Sequence, residues 1–457
     1  MSTIEADCDV VEYRVVLIDP ESRRFLGHTE GSVFRLLRVS IPIRTRVARQ
    51  MRAELLRKWG IGAAILDFLP ITEHSTPCVV AELLKTDTPV HLSSARADEI
   101  PDADLSKTER TNLQRVLQGQ VTDPFSRIGW MDEAIAWVES KTSRRLCPKV
   151  GIEQHNAGGT FTLLHFLMAD GSEYWLKATG APNSHERQIT RLLSMLCPHC
   201  LPHIVAEKRE WNAWLMTGAA RGLTSLPTDS DALMKLLGHA VQSLAELQLK
   251  TFGRESLLFD AGALDQRLEV IRRNADGLFA YIAEVMSLQT STKAPQIGAV
   301  RLDELRQMLL KTCDQVERLG IPPTILHGDM NLGNLVFTED RCQFIDWSEG
   351  YVGHPLVTLQ HLLLLNPIEN SAVKGRVDDA LKENYRAIMS AVCDPALLTQ
   401  GFACMAFLAA ASTLYGRGNW RDGDPQRDSR HLGYVRCVAR HMERYAREPT
   451  FQEALCG

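Results

Sequence analysis

The chain lacks the features that mark several functional classes. No internal repeat and no low-complexity tract is apparent, so it is read as ordinary packed units. It has no excess of positive charge: a net charge of -5 and a pI near 6.3 supply no basic field, and nucleic acid is not an expected partner. The acidic stretch Met1 to Asp9 is followed by no apolar h-region. No window approaches the roughly 18 apolar residues of a membrane span, which leads to the expectation of a cytoplasmic protein with no membrane partner. The cysteines are odd in number, 11, and scattered, which argues for reduced thiols and no disulfide framework.

What is present is length and a normal balance of residue types. At 457 residues, 45% hydrophobic and 23% charged, the chain is expected to form two or three packed units with sizeable cores. Residues 1–95 read as mixed α and β. Tyr13 to Ile18 is a β-branched run ending at Asp19-Pro20, and Phe34 to Ile43 reads as another strand. Arg46 to Trp59 has helical spacing with Gly60 at its end, and strands return at Ala63 to Leu69 and Cys78 to Leu84. This order resembles the Nudix fold. The Nudix helix holds magnesium with a glutamate cluster, whereas here Glu54 matches one position and Arg57 and Lys58 stand at two others. Cations cannot ligate a cation, so the unit is expected to be non-hydrolytic and to serve as packing, substrate cover or an oligomer contact.

Residues 96–147 form a connector, with short helices expected at Lys107 to Leu117 and Gly129 to Val138. From 148 to 220 a hairpin pattern appears: Gln154 to Thr160, the apolar run Phe161 to Met168, a turn at Asp170-Gly171, then Tyr174 to Ala178. A helix follows with Glu186, Ile189 and Leu193 on one face. From 221 to 457 the chain reads as mostly helical, with a stripe of Leu233, Leu237, Val241, Leu244 and Leu247. A β-rich small lobe followed by a helical large lobe is the outline of a bilobal kinase, an α+β fold.

The segment Thr324 to Asn334, with Ile345-Asp346-Trp347 downstream, carries the chemistry. Phosphoryl transfer needs neutralised phosphates, an acceptor oxygen held in line and a carboxylate to take its proton. Asp329 suits the last task. Asn334 offers an amide oxygen and Asp346 a carboxylate to magnesium, which prefers hard oxygen ligands. Lys177, near the end of an apolar strand, is either a cation for the nucleotide's α- and β-phosphates or a solvated strand-end residue. Glu186 is its mate, or else a helix-start residue favoured by the macrodipole. Gly158-Gly159-Thr160 would let backbone N–H groups approach phosphate, although Gly-Gly turns are common in hairpins.

His327-x-Asp329-x-x-x-x-Asn334 followed by Ile345-Asp346-Trp347 resembles the aminoglycoside phosphotransferase and choline kinase-like family, over roughly residues 148–450. The resemblance implies a protein-kinase-like fold and a magnesium-dependent, ATP- or GTP-using kinase. Its acceptor would be a hydroxyl on an aminoglycoside, an amino sugar or a related metabolite. It assigns His327 to bracing the catalytic loop through backbone near Asp346. Trp214 to Gly218, including Met216, is similar to the strand and hinge that hold the adenine. Two positions depart from the family: His354 to Leu359 carries no carboxylate, and Leu247-Gln248 replaces a Leu-His pair.

Other signals read as bland. Cys197-Pro-His-Cys200 has no second cysteine pair at metal spacing and is taken as structural. Arg436, Arg440 and Arg444 share a helix face, read as solvated or ion-paired rather than as an anion site. The loop Asn419 to Asp422 falls where related enzymes shape the acceptor pocket. The rival reading is a pseudokinase or scaffold in which the N-terminal unit recruits or regulates a partner. The intact Lys177, Asp329, Asn334 and Asp346 argue against it.

Overall fold

The computed structural model describes residues 10–43, 45–69, 76–84, 92–121, 123–148, 151–218, 225–416 and 429–456. They fall into two compact units, one of Met1–Arg187 with Ile204–Gly218, the other of Gln188–His203 with Ala219–Gly457.

The first unit opens with a sheet of seven strands: β1 (Val10–Ile18), β2 (Phe25–Glu30), β3 (Val33–Arg35), β4 (Leu37–Pro42), β5 (Ala63–Leu69), β6 (Cys78–Leu83) and β7 (Ser93–Ala95). β1 runs antiparallel to β2 and β4 and parallel to β6. Helices α1 (Val47–Trp59) and α2 (Lys107–Leu117) supply the two cores. Val15 and Leu17 pack with Met51 and Leu55 of α1, while Val16 and Ile18 pack with Leu113 and Val116 of α2. Burial on both faces is why Val15 to Ile18 is a continuous apolar run rather than an alternating one.

The stretch Phe34 to Ile43, expected as one strand, is two. The chain changes partner at Leu36, because β3 pairs with β2 and β4 with β1. α1 ends where Gly60 takes a left-handed φ of 67°, and α2 starts at a capping box between Ser106 and Glu109. Glu109 also accepts from Arg14 Nη2 at 2.7 Å, a pair with side chains only 4% and 6% exposed. Glu54 is engaged by Arg57 at 2.7 Å on the surface of α1.

Helix α3 (Trp130–Thr142) leads to a second sheet of β8 (Ile152–Asn156), β9 (Phe161–Leu167), β10 (Glu173–Thr179), β11 (Ile204–Lys208) and β12 (Ala213–Thr217), in the order β11-β12-β10-β9-β8. α3 covers one face, with Trp130 edge-on to Trp211 at 5.4 Å. Ala64 of β5 lies in the same core as Leu164, Phe166 and Leu176, so the two sheets of this unit share apolar packing. The buried Gln154 side chain adds a polar tie to Ile65.

Helix α4 (Glu186–Leu196) begins in the first unit and runs into the second. The second unit is mainly helical: α5 (Ser230–Thr251), α6 (Glu255–Asp260), α7 (Leu268–Arg273), α8 (Ala275–Ser287), α9 (Ala299–Arg318), α10 (Leu356–Leu363), α11 (Ser371–Met389), α12 (Pro395–Gly416), α13 (Ser429–Tyr445) and α14 (Pro449–Cys456). Five short strands are set among them. β13 (Leu264–Gln266), β17 (Gly350–Gly353) and β14 (Thr324–His327) form one sheet, and β15 (Leu335–Phe337) pairs with β16 (Cys342–Phe344). A β-rich unit followed by a helical one is the α+β arrangement expected, in the element order of the protein-kinase-like fold.

One expectation is corrected. α12 is long and apolar enough, by length and composition, to cross a membrane, with a mean hydropathy of 1.6. It owes this to Leu, Phe, Met, Cys and Ala, among which Gly, Ser and Thr are interspersed. Contacts with α9, α10, α11, α13 and α14 enclose it, and 61% of its apolar window is buried inside the unit. A helix mostly buried among its neighbours has little need of a polar stripe.

Candidate active site

β14 is wholly buried and delivers Gly328 and Asp329 at its end. Gly328 is required there by space, because a Cβ would lie 2.2 Å from the Tyr351 ring. Its N–H donates to the Glu349 carbonyl at 2.8 Å. The loop after Asp329 turns through a short 3-10 segment, Leu332–Asn334, in which the Asn331 side chain accepts from Gly333 N–H. Asn331 Nδ2 donates to Asp329 Oδ2 at 3.0 Å, and Asn334 Nδ2 donates to the Asp329 carbonyl at 2.8 Å. With its amide nitrogen committed in this way, Asn334 has its amide oxygen as the atom suited to a metal.

Asp346 follows β16 with φ of 66°, a left-handed conformation uncommon outside glycine but tolerated best by Asp and Asn. Ser348 Oγ donates to Asp346 Oδ1 at 2.9 Å. Backbone ties hold this turn to the loop: Ile345 N–H donates to the Asn334 carbonyl at 3.1 Å, and His327 Nε2 lies 2.9 Å from the Ile345 carbonyl oxygen. The His327 ring packs on Trp347 at 4.7 Å, and the His327 backbone N–H donates to Thr358 Oγ1. The structure thus brings His327, Asp329, Asn334 and Asp346 together in one hydrogen-bonded group. The donor set of one amide and one carboxylate oxygen suits magnesium.

The two places where the chain departs from the family pattern are both buried. Gln248, wholly buried, donates to the Pro355 carbonyl at 3.1 Å and accepts from Tyr385 O–H at 2.7 Å. His354 is buried, and both its ring nitrogens lack a hydrogen bond. Burial pushes its pKa down to about 3, so the ring is neutral. Thr358 was not singled out in the sequence, where its type carries no motif, and Gln248 was noted there only as a departure from the Leu-His pair.

In the first unit, Lys177 Nζ meets Glu186 Oε1 at 2.6 Å, with the two side chains 9% and 1% exposed. The ammonium also sits 5.3 Å from the centre of the Phe161 ring. Met216 on β12 is opposite Trp175 of β10. The glycine turn between β8 and β9 has company that the sequence did not reveal. Gly158 has φ of 114°, and Gly180 packs so closely that a Cβ would lie 2.3 Å from the Gly159 carbonyl and 2.4 Å from Asp123 Oδ1. Gly180 N–H donates to the Thr160 carbonyl at 2.9 Å. The Asp67 carboxylate, at the end of β5, is raised in pKa by burial against the pull of the Phe68 and Gly159 N–H groups. Asp123 is raised as well, by burial and then by Asp67. Two carboxylates therefore face the turn read as a phosphate cradle.

The remaining sequence signals resolve as follows. Cys197 and Cys200 are buried with Sγ atoms 2.6 Å apart, closer than the roughly 3.7 Å that two thiolates adopt on one tetrahedral zinc with Zn–S of about 2.3 Å. Arg436 donates to the Val285 carbonyl and Arg440 to the Pro295 carbonyl. These two are occupied in holding α13 to its neighbours. Residues 417–428, with the loop Asn419 to Asp422, lie outside the described residues.

No curated protein matches the chain in sequence. Among solved structures it is similar to macrolide 2'-phosphotransferase from Brachybacterium faecium, at 17% identity over 67% of this chain and 97% of that one, with a TM-score of 0.44. It is also similar to Plasmodium vivax ethanolamine kinase, at 14% identity over 77% and 98% with a TM-score of 0.47. A third is choline kinase from Streptococcus pneumoniae, at 15% identity over 70% and 99% with a TM-score of 0.43. The model of the phosphotransferase enzyme family matches residues 190–390, the span that contains the catalytic loop and Asp346. That segment is similar to the phosphotransferase enzyme family, in keeping with the resemblance read from His327 to Asp346.

Proposed function

We propose that the protein is a small-molecule kinase that transfers the γ-phosphate of ATP or GTP to a hydroxyl of an aminoglycoside, an amino sugar or a related metabolite. The observation that carries this reading is the single hydrogen-bonded group of His327, Asp329, Asn334 and Asp346. Asp329 accepts the proton of the acceptor hydroxyl as its oxygen forms the new bond to phosphorus and the nucleoside diphosphate leaves. Asn334 and Asp346 would hold magnesium, which would supply neutralisation of charge on the phosphates. His327 keeps the loop in register with the Asp346 turn. Lys177, oriented by Glu186, pairs with the α- and β-phosphates, while Gly158, Gly159 and Thr160 line the phosphate side and Met216 the base side.

The test is γ-phosphate consumption from ATP and GTP with magnesium, against aminoglycosides, amino sugars, nucleosides and choline-like alcohols, with Asp329→Asn as control. Turnover with one acceptor that is lost in the control supports the reading and names the substrate class. Absence of any magnesium-nucleotide binding would overturn it in favour of a scaffold.

A further inference from the structure

Helix α1 carries Arg46 at its N-cap, then Arg49 and Arg52, spaced three apart and so along one stripe. The stripe meets β8: the Arg46 guanidinium donates to Asn156 Oδ1 at 3.0 Å, and Arg49 lies 3.5 Å from Glu153 Oε2. Arg52 has no equivalent. Its Nη1 is buried and makes no hydrogen bond, and burial brings its pKa down to about 10 in spite of Glu153. On β8, His155 Nε2 is buried 3.3 Å from Glu153 Oε2, the oxygen that Arg49 also approaches. Burial and then Arg46 push the pKa of His155 down to about 4, leaving a neutral ring at pH 7.

The charges here do not balance. Among the described residues, three guanidiniums stand against Glu153, since Glu173 is taken up by His165 at 3.0 Å. α1 has no acidic residue in its first turn and no side-chain cap, so its dipole adds to the positive potential. A buried guanidinium N–H that makes no hydrogen bond is costly, and an anion relieves it.

We propose that the α1–β8 face of the first unit binds a phosphate-class oxyanion, held by Arg52 Nη1 and Arg49, with Arg46 at the rim and His155 Nε2–H as a neutral donor. A tetrahedral oxyanion presents several acceptors where Glu153 alone offers one to Arg49 and His155, and arginine forks match its geometry. Arg46 and Arg49 are exposed and leave the entrance open to solvent. The site uses none of the residues assigned above to nucleotide or metal.

The experiment titrates inorganic phosphate, against chloride at matched ionic strength, into the full chain and follows thermal stability and 31P line width. A saturable rise in melting temperature is expected. Its midpoint should weaken about tenfold or more in Arg52→Leu and Arg49→Gln, as loss of a charge-assisted hydrogen bond implies, and should persist in Lys177→Met. Arg49 is exposed, so Arg49→Gln remains informative should Arg52→Leu fail to fold. No saturable effect in the parent chain, or an unchanged midpoint in Arg49→Gln, overturns the proposal. Loss of the effect in a folded Lys177→Met places the phosphate at the nucleotide site instead, and also overturns it.

Discussion

Gln154 and Ile65 exchange two hydrogen bonds: Ile65 N–H donates to Gln154 Oε1 and Gln154 Nε2 donates to the Ile65 carbonyl, both at 2.8 Å. The side-chain amide thereby imitates a neighbouring strand. Gln154→Leu strands a buried N–H and a buried C=O at once, and each unmet group costs about 1–3 kcal/mol. Urea denaturation should show a loss of about 2–4 kcal/mol. A loss below about 0.5 kcal/mol would mean that water takes over the amide's role.

The Arg14–Glu109 pair is buried on both sides and also bonds the Asp104 carbonyl and Ser106 N–H. Arg14→Met or Glu109→Gln alone should destabilise by about 3–5 kcal/mol, because each leaves one group buried without its partner. The paired change Arg14→Met with Glu109→Leu should recover much of that loss. Equal damage from the single and paired changes would show that the backbone bonds to Arg14, and not the ion pair, matter.

Folded His354 takes a proton only near pH 3, whereas the ordinary value is 6.5. Between these values the unfolded chain binds more protons, so stability rises with pH across the window and is fully present above pH 6.5. From pH 6.5 to 5, His354 should remove about 2 kcal/mol, at about 1.4 kcal/mol per pH unit. His155, shifted the same way, adds to the fall. The slope of stability against pH should flatten in His354→Leu, and an unchanged slope would refute the assignment.

At Asp346 the two demands on one residue can be separated. Asparagine shares the tolerance of aspartate for φ near 66° but lacks its charge. Asp346→Asn should keep the melting temperature yet lower magnesium-dependent turnover by about a hundredfold or more, the scale of a lost electrostatic contact in a transition state. Asp346→Ala should lose both. Full turnover in the asparagine variant would remove Asp346 from the metal site.

Much of the candidate catalytic loop was legible because the chemistry proposed for it is local. Asp329, Asn334 and Asp346 lie within one short stretch, and the order of residue types is itself the signal. α1 and α2 were legible at their ends, where Gly60 and Ser106 have conformational or capping reasons to be there. The carboxylates at the glycine turn were not. Asp67 and Asp123 reach Gly159 only through the packing of one sheet on another, which no periodicity encodes. Leu36 was missed for a similar reason, since a change of strand partner leaves the apolar pattern intact. α12 escaped notice because small residues dilute its large apolar ones.

The core shared by Ala64, Leu164, Phe166 and Leu176 has a consequence for how this protein tolerates shortening. A chain beginning after Asp123 would open the edge of β8 and bare the apolar side chains that β5 covers, and open edges beside apolar patches promote association. The first hundred residues are therefore no detachable appendage: limited proteolysis that removes them should turn a monodisperse enzyme into aggregate, and natural truncations of this kind should be lost through insolubility before any defect in catalysis is felt.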